Sequence, residues 1–309
     1  MIISISRRTD IPAFFSEWFY NRIEDGYFMV RNPMNIHQVS KVTVTPQNAE
    51  SLVFWTKNPS LSFIENLPKL DEKGFNYYFQ FTITSYAQDI EKSVSRKTEI
   101  IEKFQKLSNQ IGKEKVIWRY DPIILNKKYN FDYHIKYFEY IAEKLSAYTE
   151  KVIISFVDCY SKIKIRLQEN EITDLTQEQK RKLGIALKQI AEKHNLKIES
   201  CSETIDFDDI GIPHGHCIDG ELINRICQRN FIFKKDKTQR KECGCVTSVD
   251  IGSYNTCRHN CAYCYATWNG IIPNSIDNSS PLLGSVLSNE DKVTERKIPV
   301  LKEYNPELF

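Results

Sequence analysis

Residues 116–122 read Val116-Ile117-Trp118-Arg119-Tyr120-Asp121-Pro122. An apolar, aromatic-rich run closed by Asp-Pro is the mark of a buried strand handing over to a loop. The same device recurs on either side. Residues 51–56 end at Lys57-Asn58-Pro59, 76–84 carry Tyr77, Tyr78, Phe79, Phe81 and Ile83, and 152–157 are closed by Asp158. Further strands are expected at 2–6, 196–200 and 246–251. Helical patterns lie between them: one opening at Asp10 as N-cap with Pro12 in its first turn, then 60–72, 87–112, 130–147 and 177–194. Residues 26–50 are less regular and suit short extended pieces or a hairpin.

Strands alternating with helices at this spacing predict βα units on a parallel sheet. Six units in about 200 residues, with a later strand at 246–251, fit an α/β fold of the (β/α) TIM-barrel type, complete or partial. An open doubly wound sheet is the alternative, although no phosphate-binding glycine loop follows any strand. Three regions are expected: barrel units over 1–202, a Cys-rich region over 203–268 that includes the last strand, and an irregular arm over 269–309.

The 309 residues carry 42 Lys+Arg and 40 Asp+Glu, a net charge of +2, so bulk charge gives no reason to expect a polyanionic partner. No apolar run approaches the roughly 18 residues of a membrane helix, and the start lacks a signal-peptide pattern. These readings predict a cytoplasmic protein with no membrane contact. Of nine cysteines, Cys159 stands apart and eight lie between 201 and 264. In a reducing compartment such clustering favours metal or cluster ligation over disulfides.

Barrel enzymes react at the carboxyl ends of their strands. Those ends are polar here, and Asp10, Lys57, Arg119 and Asp121 are the candidate catalytic residues. The plainer reading is that strand ends are where loops begin.

The densest chemistry lies in Cys257-Arg258-His259-Asn260-Cys261-Ala262-Tyr263-Cys264. Thiols at spacings of four and three can hold three corners of a cubane iron–sulfur cluster. A zinc site needs a fourth ligand, His259 or another cysteine. Cys201, Cys217, Cys243 and Cys245 are candidates for a second centre, iron–sulfur or zinc, with His214 and His216 as alternative ligands. Cys159 and Cys227 read as packing residues.

The Cys-x3-Cys-x2-Cys run, with an aromatic residue before its last cysteine, resembles the radical S-adenosylmethionine (SAM) signature, closest to the spore photoproduct lyase-related branch. The whole chain resembles the bacterial domain-of-unknown-function family 1848. That likeness is carried by the Arg7-Arg8-Thr9-Asp10 start, by 54–59, by 118–122 and by the cysteine run. The resemblance implies a [4Fe-4S] cluster on Cys257, Cys261 and Cys264, SAM at the open iron, and a 5′-deoxyadenosyl radical acting on an unknown substrate. It also implies Tyr263 beside the adenine and an electron donor such as flavodoxin or ferredoxin. In that superfamily the motif follows the first barrel strand, whereas here it follows the last. A circular permutation would set 246–251 beside 2–6 and bring Arg7, Arg8 and Asp10 to the SAM site. The competing class is a non-catalytic cluster or zinc protein, an electron carrier or a nucleic-acid-binding or repair module. For that last option the basic stretch 234–241 and Trp55, Trp118 and Trp268 are the features to weigh; a solvated face and core packing are their plainer readings.

Overall fold

The computed structural model describes residues 1–268, 276–297 and 301–304. Its centre is a parallel sheet of β1 (Ile2–Ile5), β4 (Ser51–Thr56), β5 (Tyr77–Thr82), β6 (Val116–Ile123), β7 (Lys151–Phe156), β8 (Lys197–Ser200) and β10 (Val249–Asp250). The spatial order is β10-β1-β4-β5-β6-β7-β8. Between β1 and β4 the chain forms an antiparallel hairpin, β2 (Tyr27–Asn32) with β3 (Asn35–Thr43). Two strands lie in the stretch expected to be irregular: β11 (Lys292–Glu295) adds to β3, and β12 (Lys302–Glu303) pairs with β9 (Phe231–Ile232). Residues 269–275, 298–300 and 305–309 of the expected arm lie outside the described residues.

The helices are α1 (Ile11–Phe14), α2 (Ser16–Asp25), α3 (Leu61–Glu65), α4 (Pro68–Lys73), α5 (Lys97–Ile111), α6 (Phe131–Leu145), α7 (Lys164–Glu169), α8 (Gln177–Lys193) and α9 (Gly220–Cys227). Two expectations are corrected. The helix over 60–72 is split, because Pro68 has no N–H to continue it and starts a new first turn instead. The helix expected from 87 begins only at Lys97; residues 83–96 form a loop that grips the cysteine motif.

Side chains alternate across each strand, and this divides the core. Ile3, Leu52, Phe54, Phe79, Trp118 and Ile154 pack on one face with the helices α1–α6 and α8. Ile2, Val53, Tyr78, Ile117 and Ile153 point to the other face, where Cys217, Ile218, Leu222, Ile223 and Val246 cover them. From β1 to β8 each strand adds on the same side, with no reversal of order. A doubly wound sheet needs such a reversal, so that alternative is excluded. The complete barrel is corrected too: β8 and β10 are the sheet edges and do not pair. The chain leaving β8 turns back along that edge. Ser200 N–H donates to the Pro213 carbonyl (2.9 Å) and Gly215 N–H to the Ser200 carbonyl (2.6 Å).

The expected neighbourhood of the last strand and the first is present. Ile3 pairs with Val249 and Ser4 with Asp250, in parallel. The strand is shorter than the 246–251 expected, since Val246 instead bridges Lys235.

Behind β6 the α6 side chain His134 is fully buried. Its Nε2–H donates to the Ile124 carbonyl (2.7 Å), and its Nδ1 accepts from the Tyr120 hydroxyl (2.8 Å). Burial lowers its pKa to about 4. The folded protein therefore keeps His134 neutral, while the unfolded chain protonates it near 6.5. Its contribution is intact above pH 6.5 and falls as pH drops toward 4, by roughly 3 kcal/mol in all. Urea midpoints measured from pH 7 to pH 4 should fall more steeply for the wild type than for His134→Gln.

Candidate functional site at the carboxyl ends of the strands

On the inner face of the sheet, side chains change from apolar to polar along each strand. Ile2 gives way to Ser4 and Ser6, Val53 to Trp55 and Lys57, Ile117 to Arg119 and Asp121, and Ile153 to Ser155. The polar ends open into one cavity of about 330 Å³. Arg7, Arg8 and Asp10 line it from the end of β1, and Lys57 from the end of β4. Arg119 and Asp121 line it from β6, and Cys257, Cys261, Cys264 and Tyr263 from the motif loop. Cys201, Cys217, Cys243 and Cys245 line it as well. All fourteen of these candidate residues thus meet in one place.

The motif loop follows β10 and closes on itself: Asn255 N–H donates to the Ala266 carbonyl (2.9 Å). Asn255 and Asn260 take the left-handed backbone (φ 59° and 53°), which Asn tolerates better than most residues. Gly252 leads into the loop. A Cβ there would lie 2.0 Å from Ser6 Oγ, so only glycine lets the loop pass this close to β1.

Two carboxylates fix the loop. Asp10 caps α1 by accepting from Ala13 N–H (3.0 Å), and it also accepts from Lys57 N–H (2.7 Å) and His259 Nε2–H (2.8 Å). Both its oxygens are thus engaged beneath the motif. Glu91 is fully buried and accepts from Lys57 Nζ (2.7 Å), Thr84 Oγ1 (2.6 Å), Lys97 and the Tyr263 hydroxyl. Burial alone would raise its pKa, but the charges of Lys57 and Lys97 outweigh that and hold it at about 2. The loop around Glu91 runs beside the motif: Ala262 N–H donates to the Ile90 carbonyl (2.8 Å) and Ser93 N–H to the His259 carbonyl (3.0 Å).

Across the cavity Arg119 is buried and pairs with Asp121, which also accepts from Ser155. Arg119 Nη1 donates to Cys217 Sγ (2.7 Å) and its guanidinium lies 5.3 Å from the Trp55 ring. Asp250, at the end of β10, accepts from Ser4 Oγ (2.9 Å), Ser6 Oγ (2.5 Å), Arg7 N–H (2.8 Å) and Gly252 N–H (3.0 Å). It faces both Arg7 and Arg8 at 3.9 Å. Two guanidinium groups thus share one carboxylate, leaving local positive charge at the cavity rim.

Sequence reading missed Glu91 and Asp250. Asp250 ends a strand, so the strand-end rule applied to 246–251 would have found it. Glu91 carried no signal while 87–112 read as helix.

The motif thiols are the donor set that a cubane would need. Cys257, Cys261 and Cys264 are all free and are close enough to influence one another electrostatically. Burial, then the neighbouring Cys264, pushes Cys257 up to about 12. Such a thiol becomes a ligand when a metal supplies the compensating positive charge. Among the described residues no three His, Cys, Asp or Glu side chains are placed to hold a single metal ion as they stand. Cubane ligands bind different irons, so they need not converge on one point.

Cys227 donates to the Glu50 carbonyl (3.1 Å), away from the cavity, and Cys159 does not line it. In the basic stretch Lys234, Lys235, Lys237 and Lys241 are exposed, while Arg240 turns into the cavity wall and pairs with Asp158 (2.7 Å). No helix among the described residues is long and apolar enough to cross a membrane.

Fold and site together define an α/β protein with a thiol-rich cavity at the carboxyl ends of a singly wound parallel sheet. Residues 2–266 match the family model described as Domain of unknown function (DUF1848), and the chain belongs to that family. Comparison with curated proteins and with solved structures finds no match.

Proposed function

We propose that the protein is an iron–sulfur enzyme of the radical SAM type, built on a partial, circularly permuted (β/α) barrel. The observation that carries this reading is the gathering of Cys257, Cys261 and Cys264 with the polar strand ends in one cavity. The three thiolates would hold a [4Fe-4S] cluster with one corner free. That group supplies reductive cleavage of SAM to methionine and a 5′-deoxyadenosyl radical, the part of the chemistry that belongs to the cofactor.

The chain's own residues bind and orient. Arg7 and Arg8 suit the SAM carboxylate, because their shared Asp250 neutralises only one of them. Tyr263 offers a ring for the adenine, held in place by its hydroxyl on Glu91. Asp10 fixes His259 and the motif loop from below. Lys57, Arg119 and Asp121 face the space left for the substrate. A flavodoxin or ferredoxin would supply the electron. The test is to reduce the anaerobically purified protein in the presence of SAM and assay 5′-deoxyadenosine. Its steady formation is expected; none at all would refute the enzyme reading.

One observation favours a second reading. His259 Nδ1 is buried without a hydrogen-bond partner while Nε2–H is held by Asp10, which is the posture of a metal-ligating histidine. As a fourth ligand His259 would close the site and leave no corner for SAM, giving an electron carrier or a zinc protein. His259→Ala distinguishes the two. SAM cleavage persists in this variant under the first reading, and metal is lost from it under the second.

A further inference from the structure

We propose that Cys201, Cys217, Cys243 and Cys245 hold one tetrahedral zinc ion in the wall of the cavity, a site separate from the motif loop. The four thiols come from three segments distant in sequence: the end of β8, the stretch before α9, and the Cys243-Gly244-Cys245 turn. The Cys201 and Cys217 sulfurs are 3.0 Å apart. Cys245 Sγ accepts from the N–H of Ile218, the residue next to Cys217, and all four thiols line the same cavity. Cysteines that merely fill space do not gather in this way; Cys227, for comparison, bonds a backbone carbonyl.

The surroundings suit thiolates. Arg119, itself buried, donates to Cys217 Sγ (2.7 Å), and Ile218 N–H donates to Cys245 Sγ (3.3 Å). Gly244 packs close against the exposed His216 ring: a Cβ there would lie 2.6 Å from it. Tyr78 and Gln80 both donate to the Cys217 carbonyl (2.8 and 2.7 Å), fixing that ligand's backbone to the sheet.

The closeness of the Cys201–Cys217 pair selects the ion. A cubane spreads its cysteines over separate irons, whereas one zinc with Zn–S near ~2.3 Å places sulfurs about 3.8 Å apart. The Cys201–Cys217 pair therefore opens by less than about 1 Å on ligation, with the remaining sulfurs turning inward and the thiol protons released to solvent. The ion would tie the weakly structured segment 201–246 to the inner face of the sheet, which suits a structural closed site. This inference does not rest on the radical SAM reading.

The experiment uses the full chain carrying Cys257→Ala, Cys261→Ala and Cys264→Ala, which removes the motif thiols and leaves this site whole. Elemental analysis should find about one zinc per chain, and cobalt should replace it with the thiolate-to-metal absorption of a tetrahedral site. Adding Cys243→Ser and Cys245→Ser should abolish both signals. Should those changes prevent folding, alkylation of the folded triple variant decides the matter: the four thiols are protected with zinc and react after a chelator. Iron in place of zinc, four thiols that react freely without a chelator, or a Cys201–Cys217 disulfide would each overturn the proposal.

Discussion

Glu91→Ala is expected to cost roughly 3–5 kcal/mol of stability, the range found when one partner of a buried ion network is removed. The Glu91 carboxylate is fully buried and takes hydrogen bonds from Lys57, Lys97, Thr84 and Tyr263. Without it, the largely buried Lys57 ammonium and the half-buried Lys97 ammonium lose the carboxylate they share. The loss should extend to the motif, because Tyr263 is anchored there and residues 90–93 hydrogen-bond to 259–262. Denaturant midpoints for Glu91→Ala, Glu91→Gln and wild type give the check. Glu91→Gln should also be destabilised, since an amide keeps the shape but not the charge. Midpoints within about 0.5 kcal/mol of wild type, the range of ordinary surface substitutions, would contradict this account of the network.

Cys261→Ala is expected to reduce SAM cleavage to the background without protein. Cys261 is buried at the centre of the motif, between Glu91 and the other two thiols. A cluster deprived of one of three ligands has only two thiolates to hold it. The substitution removes a single sulfur from the core, so the fold should persist and far-UV circular dichroism should be unchanged. A folded variant that kept full SAM cleavage would remove Cys261 from the cofactor site.

Much of this arrangement was legible in the sequence, for physical reasons. Strands buried on both faces read as apolar runs, so β4 to β7 stood out. The residues that break those runs toward the carboxyl end, Lys57, Arg119 and Asp121, face one cavity because side chains alternate and the strands are parallel. The juxtaposition of β10 with β1 followed from placing the motif strand beside the first strand. Sheet closure was not legible. It depends on what the edge strands meet, and residues 213–215 pair with Ser200 where a barrel would need another strand. The loop around Glu91 was hidden because its charged residues mimic a solvated helix face; its hydrogen bonds to 259–262 connect segments about 170 positions apart. The grouping of Cys201 and Cys217 with Cys243 and Cys245 was suspected from composition, but only the fold brings the Cys201 and Cys217 sulfurs to 3.0 Å and sets all four thiols around one cavity.

The central claim is that the loop over 257–264 holds a cubane cluster. Its most direct test is iron and acid-labile sulfide analysis of the anaerobically purified chain beside the Cys257→Ala, Cys261→Ala, Cys264→Ala variant. About four irons and four sulfides per chain are expected in the wild type and none in the variant. Equal iron in the two proteins, or a wild type that carries zinc on this loop and no sulfide, would contradict it.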